Sequence, residues 1–306
     1  MGRTEISPLL IFGSGQRTGS TLVQRFLSSH PDVLIWGEQD GVLGKMLLGF
    51  DRLLDWEQTN RHQRDNFFRV GVNTFPSKMM PPPEFIENAI RVARPPIMQA
   101  MQTMIREIWG KSALDVGRSI WGFKEVLYGA DMALEMKALF PDTRVILVSR
   151  HIFDCIVSLL EWEQHTIEER PSHVPVPALG ERWARRHTLG SRDAWESINR
   201  SFLETPGLDD SWVYRLTYEQ ITADPVAEMR RLVAWLGLDL NDFDLGVFDH
   251  KIHTDWDFGP DRRPSRSILD LSAAELAELI TPEVIEVGTR LGYEMSLPTR
   301  LPAERN

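Results

Sequence analysis

The sequence predicts an α/β fold: a three-layer sandwich with a mostly parallel central sheet and helices on both faces. Three observations carry that expectation. Five short apolar runs recur along the chain, each long enough for a strand and of the kind that forms the centre of a parallel sheet. Helical patterns separate them, and strand-helix alternation builds parallel sheets. The first run also opens directly into a loop rich in glycine and hydroxyls, as strands do when a helix follows at once.

The elements follow in order. Leu9 to Phe12 is the first strand, and Ser20 to Ser29 the helix after it, with Leu22, Val23, Phe26 and Leu27 as its apolar face. Val33 to Trp36 is the second strand. Residues 41–119 read as a helical insertion interrupted by Pro81-Pro82-Pro83 and Pro95-Pro96, in which Met98, Met101 and Met104, spaced by three, read as core filling. Ile120 to Phe123, Val145 to Val148 and Trp212 to Leu216 complete the strands, with helices at Ala130 to Phe140 and Ile152 to Trp162. A second insertion, 163–210, carries an amphipathic helix from Leu179 to Phe202. Thr217 and Gln220 form a capping-box pair. The helix Pro225 to Leu236 has Asp224 as N-cap, proline at its first position and Gly237 as terminator. Residues 244–267 are polar, and two short helices from Ser272 and Pro282 close the chain. No linker divides the 306 residues, so one domain with two insertions is expected.

Composition narrows the function classes. A hydrophobic fraction of 42% with 25% charged residues is that of a globular protein, and no run approaches the roughly 18 apolar residues of a membrane span. The start, Met1-Gly2-Arg3-Thr4-Glu5, is unlike a signal peptide, so a cytoplasmic location is expected. Cys155 stands alone, which excludes an internal disulfide and a cysteine metal site; it reads as a buried small hydrophobe. A formal charge of -10 argues against nonspecific nucleic-acid binding, so an anionic ligand needs a local cationic cluster. Oligomeric state is not legible.

The loop Gly13-Ser14-Gly15-Gln16-Arg17-Thr18-Gly19-Ser20-Thr21 reads as an anion cradle. Amides at a helix start are unpaired and sit at the positive end of the macrodipole, ready for a phosphate or sulfate. The pattern is one step from the nucleotide-triphosphate loop G-x-x-x-x-G-K-[ST]: Ser14 replaces the first glycine and Ser20 the lysine. Without that lysine, and with Arg17 inside the loop, the usual Mg-ATP arrangement is lost.

In open parallel sheets ligands bind beyond the carboxyl ends of the strands. Arg17, Glu38, Lys124, Glu125 and Arg150 all occupy such positions, three cations and two carboxylates converging on one crevice. Arg150 closes its strand, and Ser158 follows eight residues later. Spacing alone leaves two readings: the pair clasps a second phosphate, or Arg150 pairs with a surface carboxylate while Ser158 bonds its own helix backbone.

These elements resemble the sulfotransferase family, whose donor is 3′-phosphoadenosine 5′-phosphosulfate. Arg17-Thr18-Gly19-Ser20-Thr21-Leu22 is similar to the family's 5′-phosphosulfate loop, and Val145 to Ser158 to its 3′-phosphate motif of strand, arginine, then serine. The segment 214–237, YRLTYEQITADPVAEMRRLVAWLG, is similar to a Tyr-Glu…Asp-Pro…Leu-Gly stretch of the same family. The match covers about a third of the chain, in order and spacing. Departures stand at Thr18 in place of the usual serine, at His151 where aspartate often follows the arginine, and at Lys124-Glu125-Val126, which lacks the proline of Lys-x-Pro.

The resemblance implies donor contacts from Gly15, Gln16, Arg17, Thr18, Gly19, Ser20, Thr21, Arg150, Ser158 and Tyr218. It implies further ones from the late basic segment through Arg262, Arg263, Ser265 and Arg266. Residues 17–38 look most like the protein-tyrosine and carbohydrate branches, where a glutamate after the second strand is the base. That makes Glu38 the base, with Arg17 and Lys124 neutralising the charge that builds on the leaving phosphate. No metal is required on this reading, and the acceptor is a hydroxyl or amine of a small molecule, glycolipid or carbohydrate. His151, His165 and His187 are rival bases without a motif behind them. Asp249-His250-Lys251-Ile252-His253 reads as a polar loop rather than a metal site. Two other readings stand beside this one: a divergent P-loop kinase or NTPase, which would need an acidic magnesium ligand at a strand end, and a noncatalytic nucleotide-binding module.

Overall fold

The computed structural model describes residues 7–50, 52, 94–168, 181–249 and 268–297. Within them lie five strands: β1 (Leu9–Gly13), β2 (Val33–Trp36), β3 (Ile120–Glu125), β4 (Arg144–Ser149) and β5 (Val213–Thr217). They form one sheet in the order β2-β3-β1-β4-β5, with every pairing parallel. Each strand predicted from an apolar run is present, three of them extended to the polar residues at their carboxyl ends, Lys124-Glu125, Ser149 and Thr217.

Alternation along β1 splits the core into two layers. Leu10 and Phe12 join Trp121, Phe123, Val145, Leu147 and Val213 on one face. Leu9 and Ile11 join Val33, Ile35, Ile146, Val148 and Leu216 on the other. A strand whose two faces are both buried has no polar face to show, which is why these runs read as continuous apolar stretches.

Helix α1 (Ser20–Ser28) covers the second face with Val23, Phe26 and Leu27, each fully buried and each stabilising by on the order of 1.5–3 kcal/mol. The same face receives α9 (Pro225–Leu236), with Asp224 accepting from the Ala227 N–H and Gly237 left-handed at its end, as predicted. The opposite face is covered by helices α3 (Arg94–Ile105), α5 (Ala130–Leu139) and the carboxyl half of α7 (Glu181–Glu204). Met101 is buried there and Met98 and Met104 half-buried, which agrees with their reading as core filling.

Of the first insertion, 42–50 (α2) and the run α3, a π-helical turn (Arg106–Gly110) and α4 (Lys111–Asp115) are described, all helical. Helix α6 (Ile152–Glu168) outruns its predicted end at Trp162 by six residues. No breaker stands in the sequence before Pro171, so helical propagation continues past the point where the apolar pattern fades. Helix α8 (Tyr218–Ala223) opens on the Thr217–Gln220 capping box, while α10 (Ala273–Leu279) and α11 (Pro282–Arg290) close the described chain. Arg262, Arg263, Ser265 and Arg266 lie outside the described residues, as do residues 250–253.

Candidate active site

The connections after β1 and β4 leave in opposite directions across the sheet, toward β2 and β5 respectively, so the carboxyl ends of this neighbouring pair form the switch-point crevice. The loop after β1 fills it. Ser14 N–H donates to the Val148 carbonyl (2.9 Å), which ties the loop's root to β4. Gly15, at φ 88°, passes α7 so closely that a Cβ would stand 3.2 Å from the Trp195 nitrogen and 3.3 Å from the Ser191 carbonyl oxygen. Gly19, at φ 91°, is the N-cap residue of α1, and no side chain caps the helix. Its first amides stay available to a ligand, where an Asp or Ser cap would have consumed one. Arg17, also left-handed at φ 62°, is one of two non-glycine residues with positive φ among the described residues, a mildly strained conformation of the kind held at binding loops.

Residues predicted from two separate motifs meet on this loop. Arg17 Nε donates to Ser158 Oγ (3.1 Å), joining the β1 loop to α6. An Arg150 guanidinium nitrogen donates to the Arg17 carbonyl (3.2 Å), and the guanidinium lies 4.2 Å from the centre of the Tyr218 ring. Among the described residues neither arginine has an ion-pair partner within 4 Å, which leaves two cations side by side. Burial, and then the charge of Arg150, lower the Arg17 guanidinium below its ordinary value. Arg150 Nε and Ser14 Oγ are buried here without a hydrogen-bond partner among the described residues. Of the two readings that spacing left open for Arg150 and Ser158, the one with a surface carboxylate and a self-bonded serine is not the arrangement found.

Tyr218 packs so closely that a Cβ on Gly19 would stand 2.5 Å from its ring. It therefore presses on the loop from one side and on Arg150 from the other. The next residue braces the same point from behind: Glu219 accepts from the His151 N–H (2.9 Å) and from the Tyr293 hydroxyl (3.3 Å). Burial raises the Tyr293 phenol above its ordinary value, so it donates as a neutral hydroxyl. Trp195 Nε1 donates to the Arg150 carbonyl (2.9 Å). Sequence reasoning missed Trp195 and Tyr293, which reach this point from 45 and 143 residues away along the chain and carry no local pattern. Thr18 is fully buried with its hydroxyl directed to the Gly15 carbonyl (3.4 Å), so what it can offer a ligand is its backbone N–H.

On the other side of the loop, Lys124 is buried and forms an ion pair with Glu38, while its ammonium also donates to Thr21 Oγ1 (3.2 Å). Glu38 is 46% exposed, so a reactant can approach it from solvent while Lys124 holds it from within. Glu125 does not join this cluster. Its carboxylate is buried and accepts from the backbone N–H groups of Gln39 (3.2 Å), Gly41 (3.2 Å) and Val126 (2.9 Å). That staple holds the turn after Glu38 against the end of β3. Of the three predicted rival bases, His151 is tied by Nε2 to the Glu294 carbonyl (2.9 Å), behind the Arg150 hinge, and His187 lies on α7 near Trp162. The side chain of His165 lies outside the described residues.

Fold and site define an α/β protein with an uncapped helix start, flanked by arginines, at its switch point. The model of the Sulfotransferase family matches residues 8–242, and the chain belongs to that family. Similar solved structures include a sulfotransferase domain of the Synechococcus PCC 7002 olefin synthase, at 14% identity and a TM-score of 0.47, over 97% of this chain and 98% of that one. A sulfotransferase from Alicyclobacillus acidocaldarius aligns at 17% identity and 0.45, over 94% and 96%. A mouse sulfotransferase complexed with PAP aligns at 12% and 0.47, over 94% and 87%. No curated protein sequence matches. Among the described residues no helix is long and apolar enough to cross a membrane.

Proposed function

We propose that this protein transfers a sulfuryl group from 3′-phosphoadenosine 5′-phosphosulfate to a hydroxyl or amine of an acceptor, with Glu38 as general base. The observation that carries the reading is the cationic couple Arg17–Arg150, without an ion-pair partner among the described residues, set beside the uncapped start of α1 and joined to Ser158. Two like charges held together favour a ligand with two anionic groups, and a donor bearing a 3′-phosphate and a 5′-phosphosulfate supplies both. The buried, unpartnered Arg150 Nε fits the same demand.

The donor supplies a sulfur already bonded to a good leaving phosphate, so the protein's task is alignment and charge neutralisation. Thr21, Ser20 and the loop amides of 16–21 orient the phosphosulfate end, and Arg17 and Lys124 offset the charge that gathers on the bridging oxygen. Arg150, Ser158 and Tyr218 hold the 3′-phosphate end. Glu38, aligned by the Lys124 ammonium, takes the acceptor's proton as the new bond to sulfur forms and the old sulfur–oxygen bond breaks. This division of labour asks for no metal ion. Helices α1, α3, α5 and α9 pack on the two faces of one sheet, and α10 and α11 pack on α6 and α7 beside it, which supports reading the chain as one catalytic unit with helical insertions.

Calorimetric titration with 3′-phosphoadenosine 5′-phosphate, with ADP and Mg-ATP as competitors, tests the reading. Selective binding of the 3′-phosphorylated nucleotide is expected. Preference for Mg-ATP would replace the proposal with a kinase, and absence of nucleotide binding with a noncatalytic module.

A further inference from the structure

A cleft of about 370 Å³ opens beside the loop, lined by Gln16, Val126, Leu127, His187, Gly190, Ser191 and Ala194. Its volume falls within the roughly 300–1,000 Å³ of small-molecule sites. Gln16 belongs to the anion loop. Val126 and Leu127 directly follow Lys124-Glu125, and Leu127 stands 3.8 Å from where a Gly41 side chain would begin, on the turn that carries Glu38. The cleft is thus continuous with the candidate donor site.

Its remaining wall is one face of α7, where His187, Gly190, Ser191 and Ala194 follow helical spacing. Gly190 is the informative residue. It sits in a helix interior, where glycine is unfavourable, yet a Cβ there would meet nothing within 4 Å. Gly190 is exposed and packing does not demand glycine there, so a larger side chain at this position has room to enter the cleft that it lines.

We infer that this cleft binds the acceptor and that the acceptor is an alcohol or phenol with an apolar body, not a sugar. The inference rests on the sulfuryl-transfer reading above. Val126, Leu127, Ala194 and the bare Gly190 make the lining mostly apolar, and the backbone groups of the α7 wall are spent on their own helix ladder. Among the described lining residues the polar side chains are Gln16, His187 and Ser191, enough for one or two hydroxyls but not the five or so of a hexose, and each hydroxyl left unpaired weakens binding. Leu127, half exposed at the rim, extends the apolar surface outward.

The test is calorimetric binding of 2-naphthol, 1-octanol, glucose and maltose to the protein, alone and saturated with 3′-phosphoadenosine 5′-phosphate. At least one apolar alcohol should bind 10-fold or more tightly than either sugar. Gly190→Leu should raise the melting temperature through its better helix propensity, keep the nucleotide affinity within twofold, and weaken naphthol or octanol by at least about 10-fold. Leu127→Asp, at a half-exposed position that the fold tolerates, should weaken it similarly. Tighter sugar binding, no binding of either alcohol, or unchanged alcohol affinity in both variants overturns the inference. Failure of the nucleotide itself to bind instead overturns the donor reading, and alcohol binding to the free protein still reports on the cleft.

Discussion

Replacing Arg150 by alanine separates a structural role from a ligand-binding one. The guanidinium makes one hydrogen bond to the Arg17 carbonyl (3.2 Å) and stacks 4.2 Å from the Tyr218 ring centre. The first contributes about 0.5–1.5 kcal/mol net and the second about 0.5–1. The variant should therefore lose about 1–2.5 kcal/mol of stability, a few degrees in melting temperature, and remain folded at 25 °C. A 3′-phosphate contact adds a charge-assisted bond of about 1.5–3 kcal/mol, so affinity for 3′-phosphoadenosine 5′-phosphate should fall about 10- to 150-fold. Titration of the same variant with 5′-AMP supplies the control, because any disturbance of the Arg17 loop weakens both nucleotides alike. A fall of threefold or less for 5′-AMP beside the large fall for the bisphosphate is expected. Equal losses for the two would show that Arg150 only shapes the loop, and the assignment of the 3′-phosphate to it would be wrong.

Glu38→Gln should leave nucleotide affinity within twofold and cut turnover by about 10²–10⁴, as loss of a general base does; near-wild-type turnover would remove Glu38 from that role. Glu125→Gln replaces an acceptor of three backbone N–H groups with a side chain that has one acceptor oxygen and a donor. It should lower both the melting temperature and kcat while sparing nucleotide affinity, and an unchanged kcat would detach it from Glu38. Tyr293→Phe removes the hydroxyl bonded to Glu219 at 3.3 Å and should weaken the bisphosphate by about threefold against an unchanged 5′-AMP, at a net stability cost of about 1 kcal/mol. Burial pushes the Cys155 thiol up to about 12, so the folded state keeps a proton that the unfolded chain releases near pH 8.5. Its contribution is complete below that pH and is lost as pH rises toward 12, by up to about 1.4 kcal/mol per unit. Cys155→Ala should flatten that part of the stability-against-pH curve, and an identical slope would refute the burial effect.

The sequence by itself determined the layers, the strands and the loop. Strands buried on both faces must be apolar, so the central β1, β3 and β4 were readable as runs, the edge strands β2 and β5 were readable from shorter apolar stretches, and the caps at Thr217, Asp224 and Gly237 were readable because capping is local. Arg17, Ser158 and Arg150 were readable as individual residues through motif and resemblance. Their meeting was not, since a contact across 141 residues depends on strand order, and local propensity does not encode which parallel neighbour a strand takes. The same limit explains Glu125. At a strand end it read as one more carboxylate for the crevice, and only the approach of the 39–41 turn shows its oxygens turned onto backbone N–H groups. Trp195 and Tyr293 reach the Arg150 hinge from a helix and a tail with no pattern that points there. The cleft beside Gln16 is likewise a property of the assembled chain, made where β3, the loop and α7 pass one another, and the open space around Gly190 exists only once they do.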